Sequence, residues 1–400
     1  MDLTVQALII GGGATGTAIA RDLAMRGVST CLLERGDLAS GTTGNYHGLL
    51  HSGARYVTDD PGTARACAEE GAILRRIAPH CIDDTGGLFL VLDGRAEILF
   101  QPPFLAGCAA AGIPVEELDH ATTLREEPLV APNTIRAFRV PDATLDAWRL
   151  CVANVLSAQD HGTWAFRGVT IGALLREGDR IVGATGRNSI TAQYYTIHAE
   201  YVINACGPWA GRLAALAGPE IDPGVAPNKG TMVAMAQRPV THVINYCRPP
   251  ADGDIIVPNG TGVVLGTTTS PTADPDDTGV PAGEPERLIA EAIKMVPVLR
   301  EVATVRSWAA VRPLVAGEER AGQVDQQGRA RGRDWIIIDH EERDSLGGFV
   351  TVIGGKVTTA RRMAEEVSDL ICDKLGVDAP CRTAVEPLPG AEARRLRQGG

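Results

Sequence analysis

A polar stretch near the N-terminus, GNYHGLLHSGARYV at residues 44–57, holds three side chains that could do chemistry. His47, His51 and Arg55 fall four residues apart, and on a helix that spacing would place them on one face, as in a metal site. No glutamate stands between the two histidines, and the glycines of the stretch weaken the helix that such a site requires. We therefore expect an irregular loop and no metal ion.

Other candidates for substrate binding or proton transfer are spread along the chain. Arg312 lies in the apolar run AAVRPLVA, where a buried guanidinium needs an anion, either a ligand or an internal carboxylate. Lys356 follows two glycines at a predicted helix start, an unfavourable place for a positive charge, which favours a functional role. His242 lies on a predicted strand, and its side chain is either structural or proton-transferring. Lys229 and Arg248 complete this cationic set.

Composition narrows the function classes. The chain has 400 residues, which suggests two domains, and its net charge of −11 argues against a nucleic-acid-binding protein. An anionic substrate would therefore need a local basic pocket. The nine cysteines include no C-x-x-C pair, which indicates a reducing compartment rather than a zinc site or an iron–sulfur cluster. The sequence contains no run of 18 or more apolar residues, so it predicts no membrane span. We expect a cytoplasmic protein, with peripheral attachment to the inner face of the membrane as the alternative.

The strongest motif is a glycine-rich turn between a strand and a helix. Gly11, Gly13 and Gly16 form G-x-G-x-x-G directly after the apolar run VQALII. The first glycine permits the tight turn, the second lets backbone approach a pyrophosphate, and the third permits close packing of the helix. Glu34 ends the second predicted strand, where an acidic residue would bind ribose hydroxyls. These residues predict a dinucleotide site.

Two later stretches favour FAD over NAD as the dinucleotide. VINACGPWAGRLA, at residues 202–214, is a predicted strand that runs into a turn of small residues and a helix. VIGGKVTTARRMAE, from residue 352, is a strand, a double glycine and a second helix start. The N-terminus of that second helix could offset negative charge on a reduced flavin ring.

The order of elements predicts two domains that are braided through the chain. We expect an α/β fold in which an FAD-binding, Rossmann-like domain with a parallel sheet alternates with a substrate domain built on a mixed or antiparallel sheet. The expected ranges are 1–85, 140–215 and 330–375 for the FAD domain, 86–139 and 216–329 for the substrate domain, and 376–400 for a tail. Helices are predicted near residues 63–78, 98–111, 144–160, 284–295 and 358–375.

Together, these stretches resemble the FAD-dependent glycerol-3-phosphate dehydrogenases of the glycine-oxidase/D-amino-acid-oxidase-like superfamily, and most closely the catalytic A subunits of the anaerobic bacterial enzymes. The matching segments run in family order over about residues 5–375 and are IIGGGATG, ER, HGLLHSGARY, VPD, HVIN, DIIVP, GTT, VRPLVA and GGK. The chain differs from the family at Ala360, where a tyrosine is typical, and at Asn45-Tyr46-His47, where the anaerobic enzymes have R-N-H. In the anaerobic enzymes the catalytic subunit continues into a cysteine-bearing C-terminal domain, through which electrons leave the flavin. This chain ends at Gly400, so we expect that route for electrons to be missing or removed.

The resemblance implies oxidation of carbon 2 of sn-glycerol 3-phosphate to dihydroxyacetone phosphate, with hydride transfer to FAD. Arg55 would hold the phosphate, while Arg312 and Lys356 would bind polar groups near the flavin and stabilise the developing oxyanion. His242 and His51 are rival candidates for the base, and His242 and Lys229 are further candidates for substrate contact. The expected FAD contacts are Gly11, Gly13, Ala14, Thr15, Gly16, Glu34, Arg35, Thr42, Thr43, His47, Gly48, Ala205, Gly207, Gly354, Gly355, Lys356, Val357 and Thr358.

The expected partners are a small phosphorylated polyol and an electron acceptor, either a quinone or a partner subunit. Two alternatives stay open. One is an FAD-dependent oxidase or dehydrogenase of another polyol phosphate, a hydroxy acid or an amino acid. The other is a non-catalytic flavoprotein subunit.

Overall fold

The computed structural model describes residues 1–316 and 335–392. The Arg394–Arg397 part of the predicted tail and residues 317–334 of the two predicted domains lie outside the described residues. The strands are β1 (Asp2–Ile10), β2 (Thr30–Glu34), β3 (Leu49–Leu50), β4 (Ile82–Asp83), β5 (Gly87–Leu92), β6 (Glu116–Asp119), β7 (Thr134–Val140), β8 (Ala143–Leu145), β9 (Trp164–Arg167), β10 (Val169–Glu177), β11 (Arg180–Asn188), β12 (Tyr194–Asn204), β13 (Val225–Met235), β14 (Val243–Tyr246), β15 (Ile255–Asn259), β16 (Gly262–Gly266), β17 (Ser270–Pro271), β18 (Thr304–Val315), β19 (Trp335–Asp339) and β20 (Phe349–Gly354). The helices are α1 (Ala14–Met25), α2 (Pro61–Ile77), α3 (Arg95–Ala110), α4 (His120–Glu126), α5 (Ala147–Asp160), α6 (Ala210–Ala214), α7 (Glu284–Met295), α8 (His340–Asp344) and α9 (Ala360–Leu375).

The first sheet carries the glycine-rich turn. Its order is β10-β11-β12-β1-β2-β9, and β20, itself paired with β19, joins the second half of β12. Strands β9, β2, β1, β12 and β20 are parallel to their neighbours in this row, with Leu8 opposite both Cys31 and Val202. The last four residues of β1 are buried, as expected for a strand that is covered on both faces.

Three helices cover one face of the first sheet. Helix α1 packs between α5 and α9, and nearly all of its residues are buried because Ala and Gly let the helices approach closely. Leu23, Ala364 and Val367 belong to this shared apolar core. The core therefore holds the start of α1 against the ends of β1 and β12.

The second sheet is mixed and lies apart from the first in strand order. Its row is β17-β13-β16-β15-β14-β5-β7-β6, and β18 lies along the other edge of β13 over almost its whole length. Helix α7 buries Leu288, Ala292 and Met295 against this sheet. A small third sheet, β3-β8-β4, joins the polar stretch of residues 44–57 to β8.

The chain passes between the first and second sheets several times. Strands β5 to β7 and β13 to β18 belong to the second sheet, whereas β9 to β12 and β19 to β20 return to the first. The expected α/β fold, in which a Rossmann-like parallel sheet is braided with a mixed sheet, is confirmed. The predicted domain ranges themselves stay a prediction.

Residues 376–392, the described part of the predicted tail, pack against α1 and α2. Leu388 is buried, and its N–H donates to the carbonyl oxygen of Ile77 at 2.8 Å. The buried Arg21 donates to the carbonyl oxygens of Glu386 at 2.6 Å and Thr383 at 3.4 Å. Burial lowers the pKa of Arg21 to about 10. This segment therefore supplies acceptors for a charge inside the core.

Within the described ranges, 1–316 and 335–392, none of the helices combines the length and the apolar character that crossing a membrane requires.

An ion pair between α9 and α2 provides a test of these contacts. Arg361 is 8% exposed and donates through Nε and Nη2 to both oxygens of the buried Glu70, at 2.7 and 2.6 Å. Arg361→Ala should lower the free energy of unfolding by roughly 3–5 kcal/mol, because Glu70 would be left buried without its guanidinium. Denaturant unfolding of the purified protein measures this change.

The neighbouring Arg362 is the matched control. Its side chain is 42% exposed and pairs with Glu69 and Glu366 at 3.3 Å. Arg362→Ala should change stability by at most about 1 kcal/mol, as for other exposed ion pairs. Equal losses in the two variants would contradict the assignment of Arg361 as a buried structural cation.

Candidate active site

One cavity of about 810 Å³ is lined by residues of both large sheets, a size within the usual range for cofactor sites. Its walls include most of the residues that the sequence singles out. Those lining it are Gly11, Gly13, Ala14, Thr15, Glu34, Arg35, Thr42, Thr43, His47, His51, Ala205, Gly207, Arg312, Gly354, Gly355, Lys356, Val357 and Thr358.

The glycine-rich turn has the geometry that its spacing predicts. Gly11 has a φ of +116°, and a Cβ there would lie 2.5 Å from the carbonyl oxygen of Ala205. A Cβ on Gly16 would lie 1.9 Å from the carbonyl oxygen of Gly11, so the helix packs against the turn at backbone distance. Gly13 caps the N-terminus of α1 in extended conformation, and Thr43 Oγ1 accepts from the Ala14 N–H at 3.1 Å. The helix N-terminus therefore opens into the cavity, as phosphate binding requires.

Glu34 is held at the end of β2 by the backbone. Its two carboxylate oxygens accept from the N–H groups of Gly12 at 2.7 Å and Gly36 at 2.6 Å. A carboxylate offers about four acceptor positions, so ribose hydroxyls can donate to the same group. Beside it, the Arg35 guanidinium lies 4.2 Å from the centroid of the Trp209 ring.

At the other end of the cavity, the double glycine meets the polar stretch of residues 44–57. Gly354 and Gly355 have φ values of +92° and +69°, which favour glycine over other residues. Lys356 Nζ lies 4.5 Å from the ring centroid of Tyr56. Thr358 Oγ1 accepts from the backbone N–H of His51 at 3.3 Å. Two motifs that are about 300 residues apart in sequence therefore form one wall.

The polar stretch is irregular, as expected, and consists of short 3-10 turns on either side of β3. His47 Nδ1 accepts from the Leu49 N–H at 3.1 Å, while His51 Nε2 lies 3.3 Å from the Tyr56 hydroxyl. The His47 and His51 rings meet edge to face, with centroids 5.7 Å apart. Residues 1–316 and 335–392 contain no group of three or more His, Cys, Asp or Glu side chains suited to a metal ion.

Arg312 is on β18, opposite Asn228 of β13, and it lines the cavity. Its guanidinium donates to Asn228 Oδ1 at 3.0 Å, to Thr267 Oγ1 at 2.7 Å and to the carbonyl oxygen of Thr268 at 3.1 Å. A Cβ on Gly230 would lie 2.1 Å from Arg312 Nη2, so the missing side chain makes room for the guanidinium. These three acceptors are uncharged, and they orient the guanidinium.

Glu284 is a residue of this region that the sequence reasoning missed. Its buried carboxylate accepts from the hydroxyls of Thr231, Thr268 and Ser270 at 2.5 to 2.6 Å. Burial raises the pKa of Glu284, but these three hydrogen bonds outweigh it and hold the pKa below its ordinary value. Since the Thr268 carbonyl accepts from Arg312, Glu284 fixes the loop on which Arg312 rests. In sequence, Glu284 looks like an ordinary acid in the first turn of a helix.

Five predicted site residues do not line the cavity. Two are Gly16 and Gly48, and the other three are basic residues with internal partners. Arg55 pairs with the buried Asp254 at 3.3 Å, Lys229 with Asp277 at 2.7 Å, and His242 Nδ1 with Glu127 at 2.7 Å. Arg248 also pairs with Asp254, at 2.7 Å. Their functional roles stay predictions. Lining residues that were not expected include Asn45, Tyr46, Tyr56, Trp209, Arg212, Pro275, Asp276, Thr278 and Trp308.

Comparison with known proteins agrees with this geometry. The FAD dependent oxidoreductase family (DAO) matches residues 6–361. The chain belongs to this family. It is 43% identical over 387 residues to the A subunit of the anaerobic glycerol-3-phosphate dehydrogenase of Escherichia coli (strain K12), a match that covers 96% of this chain and 70% of the relative. The A1 subunit of the anaerobic glycerol-3-phosphate dehydrogenase of Haloferax volcanii is 44% identical over 394 residues, covering 96% of this chain and 66% of that protein. The chain thus spans about two thirds of the length of these relatives.

A solved structure supports the same fold. The glycerol-3-phosphate dehydrogenase from Bacillus halodurans, complexed with FAD, superposes with a TM-score of 0.75 at 25% identity, covering 99% of this chain and 70% of that one. The resemblance drawn from the sequence is confirmed, as are FAD as the cofactor and the assignment as an oxidoreductase. The lining residues fit FAD at both ends: a phosphate-binding helix start and an acid at β2, and a second glycine turn with Lys356.

The contact between Gly16 and Gly11 generates a prediction. Gly16→Ala should force α1 away from the turn, weaken FAD binding and lower the free energy of unfolding by about 1–3 kcal/mol, as overpacking does. Gly211→Ala on α6 is the control, because a Cβ there would meet nothing within 4 Å. Titration of the apoprotein with FAD measures the affinity. Unchanged affinity in Gly16→Ala would show that the close approach is not needed.

Proposed function

We propose that this chain oxidises sn-glycerol 3-phosphate at carbon 2 to dihydroxyacetone phosphate. The observation that carries the proposal is the position of Arg312 and Lys356 in the cavity that the nucleotide-binding turn also lines. In a protein of net charge −11, two cations that line one cavity provide the local basic pocket that an anionic substrate needs. Bound FAD would supply the hydride acceptor. The names of the relatives in Escherichia coli and Haloferax volcanii favour this substrate.

The two cations have distinct tasks in this proposal. Arg312, oriented by Asn228 and Thr267, binds polar oxygens of the substrate through its planar guanidinium. Lys356, above the Tyr56 ring, provides a point charge that stabilises the oxyanion developing at carbon 2. Both cations are positioned before substrate arrives, so little reorganisation accompanies the reaction.

We assign proton removal to His51 rather than to His242. His51 lines the cavity and contacts the Tyr56 hydroxyl, whereas His242 lies outside it and is held by Glu127. An imidazole in this position can accept the proton of the substrate hydroxyl while hydride leaves. In this assignment His242 is a structural residue, and so is Lys229, which pairs with Asp277.

Arg55 keeps its proposed role as the phosphate anchor. It adjoins Tyr56, whose ring lines the cavity, and its partner Asp254 is shared with Arg248. Asp254 and Glu291 offset the charges of Arg55 and Arg248, so the anchor role rests on the Arg55 guanidinium itself, which can donate to a phosphate from its remaining N–H groups.

The electron acceptor is a quinone or a partner subunit in this proposal. We place the protein in the cytoplasm, with attachment to the inner face of the membrane through that acceptor. No nucleic acid is expected to bind, given the net charge of −11.

Anaerobic reduction of the bound flavin tests the function directly. Purified yellow protein is mixed with sn-glycerol 3-phosphate or with glycerol, and the visible flavin absorption is followed. We expect bleaching by the phosphate alone, because glycerol lacks the anionic group that the cations bind. Bleaching by a hydroxy acid or an amino acid, but by no polyol phosphate, would overturn the proposal. A flavin that no such donor reduces would favour a non-catalytic flavoprotein.

Arg55 and Arg248 form a matched pair for testing the phosphate anchor. Each substitution to Ala removes one guanidinium from Asp254, so both should lower stability. Only Arg55→Ala should weaken binding of glycerol 3-phosphate, by roughly 2–5 kcal/mol if the arginine contacts the phosphate. Rapid-mixing flavin reduction at a series of substrate concentrations gives the affinity. Equal affinities in the two variants would refute the anchor.

A further inference from the structure

A short acidic segment, residues 274–278, reaches the cavity. It belongs to the second unit, the part of the chain built on the second sheet; the first unit is the part built on the first sheet. The acidic segment follows β17 and precedes α7, so it is covalently part of the second sheet's unit. Three of its members, Pro275, Asp276 and Thr278, line the cavity beside Arg35 and Trp209. It therefore forms a wall at the end of the cavity where Glu34 is placed to bind ribose.

The acidic segment is fastened to the first unit by charged hydrogen bonds. Asp276 Oδ1 accepts from Trp209 Nε1 at 2.7 Å, and Asp276 Oδ2 pairs with Arg212. The second amino group of Arg212 donates to Asp274 Oδ1 at 2.6 Å. Arg35 lies 3.5 Å from Asp276 Oδ1. Within the segment, Asp274 Oδ1 also accepts from the Asp276 N–H at 2.9 Å, which holds the two carboxylates in one arrangement.

Carboxylates are an unexpected lining for a cavity that accepts a pyrophosphate. Asp274 and Asp276 would repel its negative charge if they pointed at it unpaired. Their oxygens are instead directed to Arg212, to Arg35 and to the Trp209 indole, and hydrogen bonds from Arg212 and Trp209 hold the pKa of Asp276 below its ordinary range. The segment is thus suited to fastening one unit to the other rather than to contacting phosphate.

We propose that the acidic segment is a further part of the FAD site and retains the nucleotide by bridging the two units through Asp274, Asp276 and Arg212. The bridge lies at the end of the cavity that holds Glu34, and FAD can leave only when the bridge opens. Because the ion pairs are about half exposed, the bridge is sensitive to salt, whereas the uncharged backbone hydrogen bonds of the turn at Gly11 are not.

The rate of FAD release tests this proposal without reference to any substrate. Diluted holoprotein is followed by the fluorescence of FAD as it enters solution, at about 0.1 M and about 1 M NaCl, where the Debye length is about 10 Å and about 3 Å. Wild-type release should be severalfold faster at the higher salt concentration. Asp274→Asn combined with Asp276→Asn should release FAD about tenfold faster at low salt, the loss expected from a few exposed ion pairs. Its rate should not change with salt.

A double variant elsewhere separates this effect from a change in net charge. Asp84→Asn with Asp179→Asn removes two exposed carboxylates paired with Arg75 and Arg176, neither of which lines the cavity. This control should release FAD at the wild-type rate and keep the salt dependence.

Three outcomes would overturn the proposal. They are a wild-type rate that is independent of salt, a double variant no faster than the control, and slower release, which would mean that the carboxylates compete with FAD for Arg212. If the double variant does not fold, the wild-type salt dependence decides alone. Failure of glycerol 3-phosphate to bleach the flavin would leave this result unaffected.

Discussion

The contact on which the site depends is the approach of three backbone segments at Gly11. The carbonyl of Ala205 and the first turn of α1 at Gly16 both come closer to this residue than any side chain would allow. Strands β1 and β12 and helix α1 are thereby joined at one point, and the N-terminus of α1 is aimed into the cavity. A ligand in the cavity is positioned relative to this junction, because β1 and β12 are buried and closely packed where they reach it.

The second organising feature is a set of cations inside an acidic protein. Arg312 donates to amide, hydroxyl and carbonyl oxygens, which orient its guanidinium. Glu284 acts on Arg312 indirectly, because its carboxylate accepts a hydrogen bond from the Thr268 hydroxyl. Thr268 thus links the two groups, because its hydroxyl binds Glu284 while its carbonyl oxygen accepts from Arg312.

Much of the fold could be predicted from local pattern. The glycine-rich turn, Glu34 and the helix at 284–295 have signals within a few residues, and the structure places them as expected. Pairings across long sequence separations could not be predicted in this way. Arg55 and Asp254 are 199 positions apart, and nothing near either residue indicates the other. The same holds for the acidic segment: its aspartates look like a solvated loop until the fold brings Arg212 beside them.

The buried Arg21 has a consequence for where this unit can end. Its guanidinium is met by two peptide carbonyls, those of residues 383 and 386, rather than by a carboxylate. Those carbonyls lie beyond the last helix, in a segment without regular structure of its own. A chain shortened to the end of α9 would keep every strand of the two large sheets, but it would leave the Arg21 guanidinium in the interior without these two acceptors. The boundary of the cooperative folding unit therefore follows the acceptors of one arginine and not the last element of secondary structure.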